Sequence, residues 1–203
     1  MFARNRCECP PGLSESDLII THERGQLVQH LRAMVLRTRG QEGWHDLLSK
    51  VSEPCRETFS VSTGVFEWVD AGLAAELSLA FYDGQAEELA GERGREAARE
   101  QLTTVNGWML RFLSPSFLLS NLPRFFRFYF KGALLRVEHA GEHHAQLHVW
   151  AIGLYPEYWR SGVPGWLEEA MVMTGCRKVG VHYEAPSGEG VEAHHHRYHL
   201  RWE

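Results

Sequence analysis

Cysteine, long apolar runs and excess basic charge are all scarce in this sequence. The 203 residues include four cysteines, too few and too scattered for a disulfide-stabilised fold or a zinc finger. No run of about 18 apolar residues could span a membrane, and no short apolar run follows a basic start as in a signal peptide. A formal net charge of −5 gives no basic footprint for nucleic acid. We therefore expect a cytoplasmic protein that binds no nucleic acid.

Motifs for nucleophilic catalysis and phosphate binding are missing as well. The sequence contains no Gly-x-Ser-x-Gly and no Gly-x4-Gly-Lys-Ser/Thr. Cys55 has no histidine nearby in the sequence, and Cys176 follows the end of a predicted helix, where the dipole raises a thiol pKa. Without an assembled acid, base or nucleophile, we predict that the protein is not an enzyme.

The first half of the sequence has helical periodicity. Apolar residues at helical spacing predict helices over about 26–39, 42–51, 72–82 and 85–112, and Gly40 is expected to separate the first two. Gly91, Gly94 and Gly107 predict breaks in the last helix, because each glycine weakens a helix interior by about 1 kcal/mol. The mixed charges around Arg93 indicate a face exposed to solvent.

After Gly132 the apolar period changes from 3.6 to 2. Alternation over 134–139 and 144–150 predicts a β-hairpin, a helix follows over about 156–174, and strands are predicted at 177–184 and 193–202. Helices followed by β-β-α-β-β give an α+β fold with an antiparallel sheet. We predict a flexible leader at 1–17 and one ligand-binding-like domain at 18–203.

The segment 117–130 is the most aromatic part of the chain. Large aromatic side chains here fit either a core or the wall of a pocket. Because the segment precedes a helix–sheet junction, we predict that an apolar small molecule or a partner protein binds there. The residues predicted to bind it are Trp108, Phe117, Leu118, Phe125, Phe126 and Trp166.

Histidine is in excess, with 12 in the chain and nine of them at or after His139. The predicted strand phases place five of them on one face of the sheet, and neutral imidazoles suit Zn, Cu or Ni. The alternative is a polar face in contact with water, as antiparallel sheets often have. The adjacent His194, His195 and His196 alternate faces and cannot bind as a unit within a strand. The five candidate metal ligands are His144, His148, His182, His195 and His199.

Four motifs resemble known families. The stretch from Leu31 to Leu48, a helix followed by Gly40 and Trp44, resembles the start of haem-NO-binding (H-NOX) domains. Ser114-Pro115 leading to the aromatic segment, Trp159-x4-Pro164-Gly165-Trp166 and the terminal Tyr198-x-Leu200-Arg201-Trp202 resemble a myxobacterial family of uncharacterised proteins. That family is related to the superfamily of H-NOX domains, 4-vinyl-reductase-type domains and TRAPP subunits. The resemblance covers roughly 25–203 and implies a helical half followed by a sheet.

The residues that carry haem chemistry in H-NOX domains are not matched. The resemblance implies a helix-borne proximal histidine and a Tyr-x-Ser-x-Arg motif, yet no histidine occurs between His45 and His139 and the motif is absent from the chain. The clustered cysteines of 4-vinyl-reductase-type domains are missing too. We therefore predict a non-catalytic sensory or binding module, without haem, that holds its ligand in a helix–sheet pocket. The alternatives are a metal-binding protein and a homodimerising scaffold.

Overall fold

The computed structural model describes residues 12–82, 86–110 and 114–203. Their arrangement confirms the predicted α+β class: the helices come first, and a four-stranded antiparallel sheet follows. In the described part of the chain no helix combines the length and apolarity needed to cross a membrane.

Four helices build the N-terminal half. They are α1 (Glu15–Leu18), α2 (Gly25–Ser49), α3 (Glu53–Ser60) and α4 (Ala71–Tyr82). Gly40 has a φ of 68° and bends α2 where the sequence predicts a break between two helices. The side chain of Ser52 caps α3 by accepting a hydrogen bond from the backbone of Cys55. Buried residues of these helices form a hydrophobic core of their own around Trp44 and Leu47.

Two longer helices follow, α5 (Ala86–Leu110) and α6 (Pro115–Tyr129). The predicted breaks in α5 are wrong, because the helix runs without interruption through its glycines. A Cβ on Gly94 would overlap the carbonyl oxygen of Gly162, and one on Gly165 would overlap that of Gly91. The glycines thus allow α5 to lie against the C-terminal part of the fold. Helix α6 starts with Ser114 as its cap and Pro115 at the favoured first position.

The main sheet confirms the predicted β-β-α-β-β order. Its strands are β4 (Leu134–Gly141), β5 (His144–Trp150), β6 (Gly180–Glu184) and β7 (His195–Arg201), arranged β4-β5-β7-β6. A π-helical turn at Tyr158–Gly162 leads into α7 (Val163–Met173) between the two strand pairs. The inner face of the sheet packs against α6 and α7, and α5 packs on α7. The fully buried residues of the inner face are Ala145, Leu147, Val149, Tyr198 and Leu200.

A second, smaller sheet was not predicted from the sequence. It consists of β1 (His22–Arg24), β2 (Trp68–Asp70) and β3 (Phe130–Lys131), in the order β2-β1-β3. These strands have two or three residues each, too few for a periodic pattern. Glu23 pairs with Val69 on one side and Phe130 on the other, so the central strand holds it between the helical half and the main sheet.

The predicted flexible leader falls partly outside the described residues, which begin at position 12. Within the described part, α1 is packed onto the domain. The backbone of Ala133 donates a hydrogen bond to Asp17, and that of Ile152 donates one to Leu18. Leu18 is fully buried. Residues 14–18 therefore have a defined place in the fold.

Candidate functional site: a helix–sheet cavity

A cavity of about 120 Å³ lies between the helices and the inner face of the main sheet. Helices α2, α4, α5, α6 and α7 contribute to its wall, together with β1, β4 and β5. Most of the lining is aromatic or aliphatic, as is typical of small-molecule pockets. The apolar wall includes Phe125, Phe126, Leu147, Val149, Trp159 and Leu167.

Three of the predicted ligand-binding residues line this cavity. Phe125 and Phe126 reach it from α6, and Trp166 reaches it from α7, where its indole nitrogen donates a hydrogen bond to Gln101 over 2.8 Å. That these three residues bind a ligand stays a prediction.

Of the other three predicted residues, two do not line the cavity, and the side chain of the third is outside the described part of the structure. Phe117 is 49% exposed at the start of α6, and Leu118 is buried in the core without lining the cavity. The helical period is the reason, because α6 turns Leu122, Phe125 and Phe126 towards the cavity and Phe117 away from it. Trp108 belongs to α5, but its side chain lies outside the described residues.

One end of the cavity is polar and contains a buried carboxyl group. Glu23 lines the cavity from β1 and is only 6% exposed. None of the described residues gives its carboxylate a hydrogen bond. Burial raises the pKa of Glu23 to about 7, and the positive charge of Arg93 opposes this rise only in part.

Arg93 of α5 supplies the positive charge at the same end. Its guanidinium donates to the hydroxyl of Ser78 over 2.7 Å, to the hydroxyl of Tyr82 over 3.4 Å and to the carbonyl of Leu27 over 3.2 Å. Burial opposes its charge, yet the neighbouring tyrosines and Glu23 raise the pKa of Arg93. The predicted solvent-exposed face is therefore wrong at Arg93, because tertiary packing half-buries this residue of α5 and directs its guanidinium to partners on α2 and α4.

Two tyrosines extend this polar end. The hydroxyls of Tyr82 and Tyr155 are 2.9 Å apart, and Tyr82 also accepts the hydrogen bond from Arg93. Burial raises the pKa of Tyr155, so its phenol stays protonated at neutral pH. Both phenols line the cavity.

His30 of α2 is the histidine in the cavity lining. Its Nδ1 contacts the carboxylate of Glu100, and its Nε2 is buried without a partner among the described residues. Burial lowers the pKa of His30, against the opposing charge of Glu100. A signal for it existed in the sequence, since His30 lies between Leu27 and Leu31 on the apolar stripe of α2. Glu23 and Arg93 carried no such signal.

The five histidines of the predicted metal site share one face of the sheet, as the strand phases predict. We call this face, opposite the cavity, the outer face. This face is not exposed to solvent throughout, because His148 and His195 are buried, with exposures of 3% and 2%. Nδ1 of His148 lies 3.0 Å from Nε2 of His195, and the ring of Trp150 stacks on His195 at 4.3 Å between centroids. The imidazoles of His148 and His195 therefore pack as buried aromatic rings.

The remaining histidines of the outer face lie apart from this pair. His182 and His199 have ring centroids 6.1 Å apart, and His199 contacts Glu184 at 3.2 Å. His144 is exposed at the other end of β5. Among the described residues no three His, Cys, Asp or Glu side chains converge as a metal site requires. His196 points to the inner face, so His195 and His196 alternate as predicted. His194 lies in the 3-10 helix that precedes β7, not in the strand.

The haem implied by the H-NOX resemblance does not fit the cavity that the described residues form. The volume of about 120 Å³ suits a group the size of one aromatic ring, whereas ligands much larger than that occupy pockets of roughly 300–1,000 Å³. Haem propionates need cations, and Arg93 already directs three of its five donors to Ser78, Tyr82 and Leu27. Nε2 of His30 is the unpartnered nitrogen in the described lining that a metal could use.

Solved structures of H-NOX proteins share this fold. The Fe(II) unliganded H-NOX protein from K. algicida superposes with a TM-score of 0.67 at 9% identity, covering 89% of this chain and 96% of that one. The H-NOX protein from S. oneidensis in the Fe(II)NO state gives 0.64 at 12% identity, covering 89% and 99%. The IWP-051-bound H-NOX from Shewanella woodyi gives 0.63 at 14% identity, covering 87% and 93%. At such identities the likeness establishes the fold alone.

Sequence comparison supplies the family. No curated protein matches the chain. A family model, described as "Protein of unknown function (DUF2378)", matches residues 79–203. That stretch runs from α4 to the end of the chain, and it includes α5, α6, α7 and the whole main sheet. The chain therefore belongs to the DUF2378 family.

Proposed function

We propose that this protein is a non-catalytic sensory or binding module that holds a compact, mainly apolar molecule in the helix–sheet cavity, without haem. The cavity carries this proposal. It is lined largely by aromatic and aliphatic side chains, and it lies inside a fold whose solved relatives bind ligands in the same kind of domain. An apolar ligand in this cavity would extend the hydrophobic core and stabilise the folded state.

A pair of alanine substitutions tests the proposal. Ala97 lines the cavity from α5, whereas the half-buried Ala80 of α4 does not. Ala97→Leu adds the volume of three carbon atoms to the cavity, and Ala80→Leu is the matched control. We expect toluene to shift backbone amide resonances around the cavity in the wild type and in Ala80→Leu, and to leave Ala97→Leu unchanged. Native mass spectrometry of the untagged protein would identify any copurified ligand.

Two results would contradict the proposal. One is a wild type that carries no copurified ligand and responds to no apolar probe. The other is a response that Ala97→Leu leaves intact. A separate experiment tests the proposal that the protein binds no haem. Protein expressed with added haem precursor should show no Soret absorption. A Soret band that His30→Ala removes would show that haem binds after all.

A further inference from the structure

The cavity contains two buried polar groups that no described residue satisfies. One is the carboxylate of Glu23, and the other is Nε2 of His30. Burying a polar group without a hydrogen bond costs roughly 1–3 kcal/mol, and such groups are rare in native proteins. Other buried nitrogens of the described residues, such as Nε2 of His148 and Nε1 of Trp150, also lack a hydrogen bond. Glu23 and His30 differ from them because both line one cavity, where a ligand can provide the missing contacts.

Arg93 does not donate a hydrogen bond to the carboxylate of Glu23. Its guanidinium is directed to Ser78, Tyr82 and Leu27, and no salt bridge joins it to Glu23 in the described part of the chain. The attraction between the two charges acts through space. The Glu23 carboxylate therefore keeps its lone pairs available to the cavity.

Both incomplete groups are hydrogen-bond acceptors. An ionised carboxylate can only accept. Since Nδ1 of His30 contacts the carboxylate of Glu100, Nδ1 carries the proton, and Nε2 of the neutral ring presents a lone pair. This end of the cavity therefore favours a ligand with a hydrogen-bond donor, and it disfavours a ligand whose head group is an anion.

We propose that the ligand carries a hydrogen-bond donor, a hydroxyl or an amine, directed at Glu23, on an apolar body about the size of one aromatic ring. This inference rests on the proposed function and names the chemical class of its ligand. Phe125, Phe126 and Leu147 would contact the body, while Glu23 would accept the hydrogen bond from the head group.

The charged and titratable groups around Glu23 make this recognition dependent on pH. They are Arg93 of α5, Tyr82 of α4, His30 of α2, and Tyr155 and Tyr158 after β5. With its pKa near 7, Glu23 is half ionised at neutral pH. A donor prefers the ionised carboxylate, so affinity for a hydroxyl ligand should rise as pH rises through about 7.

Four probes with the same ring test the head group: toluene, benzyl alcohol, benzylamine and benzoate. In calorimetric or NMR titrations of the wild type, we expect benzyl alcohol or benzylamine to bind about tenfold more tightly than toluene, and benzoate to bind most weakly. The stronger of the alcohol and the amine identifies the head group. Repeating the alcohol titration from about pH 6 to about pH 8 should show the rise in affinity.

Substitutions at Glu23 show whether this residue provides the preference. Glu23→Leu removes the acceptor, so the alcohol, the amine and toluene should bind within about threefold of one another. Glu23→Gln keeps an acceptor without the charge and should retain a reduced preference for the alcohol but lose that for the amine. The exposed Glu42→Gln serves as the control and should behave as the wild type.

The failures are distinguishable. Equal binding of all four probes to the wild type, or tightest binding of benzoate, would overturn the donor assignment and leave the proposed function standing. A preference that survives in a folded Glu23→Leu would overturn the role of Glu23. If no probe binds the wild type and no ligand copurifies, the proposed function itself fails, and this inference fails with it.

Discussion

Polar side chains are buried in two regions of this molecule, and the two regions solve the resulting energetic problem differently. On the outer face of the main sheet, His148 and His195 are packed against Trp150 and bonded to each other. In the cavity, the carboxylate of Glu23 and Nε2 of His30 have no hydrogen-bond partner among the described residues. In the described part of the chain, the first region leaves neutral ring nitrogens without a hydrogen bond, Nε2 of His148 and Nε1 of Trp150, whereas the second leaves a carboxylate without one.

The difference shows which kind of polar burial points to a ligand. Burial lowers the pKa of His148 to about 4, so its ring is neutral at physiological pH and can serve as an aromatic surface. A carboxylate has no such role, because its charge needs donors. The excess of histidine is therefore structural in its buried part, while a glutamate in a three-residue strand marks the candidate site.

The largest expected effect comes from removing the ring that completes the outer face. Trp150 is fully buried and stacks on His195. Trp150→Ala should lower the free energy of unfolding by about 3–5 kcal/mol, measured by urea denaturation. Phe126→Ala removes a half-buried ring beside the existing cavity and should cost about 1 kcal/mol. A larger loss at Phe126 than at Trp150 would reverse the comparison between the two regions.

Glu23 should give an effect of intermediate size that depends on pH. Its pKa is raised from 4.5 to about 7, so the folded state binds a proton more tightly than the unfolded chain, and ionisation destabilises the fold as pH rises between these values. Glu23→Gln should match the wild type near pH 4 and be more stable by about 3 kcal/mol above pH 7. Urea denaturation at several pH values measures this gain. A gain that does not vary with pH would contradict the buried-carboxylate assignment.

His148 should give a smaller effect with the opposite sign. Its pKa is lowered from 6.5 to about 4, so the unfolded chain takes up the proton more readily and stability is lost as pH falls through this interval. His148→Gln should lose less stability than the wild type between about pH 6.5 and pH 5. The exposed His182→Gln, on the same face, is the control and should keep the slope of the wild type. Equal slopes in all three proteins would count against a neutral packing role for His148.

Much of the fold could be predicted because its signals are local. The alternation of Leu135, Val137 and their neighbours defined the hairpin, and Gly40 marked the bend in α2 because a positive φ favours glycine. The same local logic failed in α5. Gly94 weakens an isolated helix, but in the folded protein it allows close packing against Gly162, which sequence alone does not reveal.

The site could be predicted only in its apolar half. Phe125, Phe126 and Trp166 line the cavity because large aromatic side chains beside a helix–sheet junction are buried somewhere near it. Phe117 belongs to the same aromatic run but faces solvent, because its position around the helix places it on a different face of α6 from Phe125 and Phe126. The polar half depends on contacts between distant segments, as between Arg93 and Leu27.

The sequence by itself determined the α+β class, the β-β-α-β-β order and the shared face of the five histidines, because periodicity and strand phase are properties of neighbouring residues. The tertiary structure alone decided which of those histidines are buried, that Arg93 is enclosed, and that a short unpredicted strand carries Glu23 into a cavity. Burial is set by segments far apart in the chain, and burial is what turns an ordinary carboxylate into a group that requires a partner.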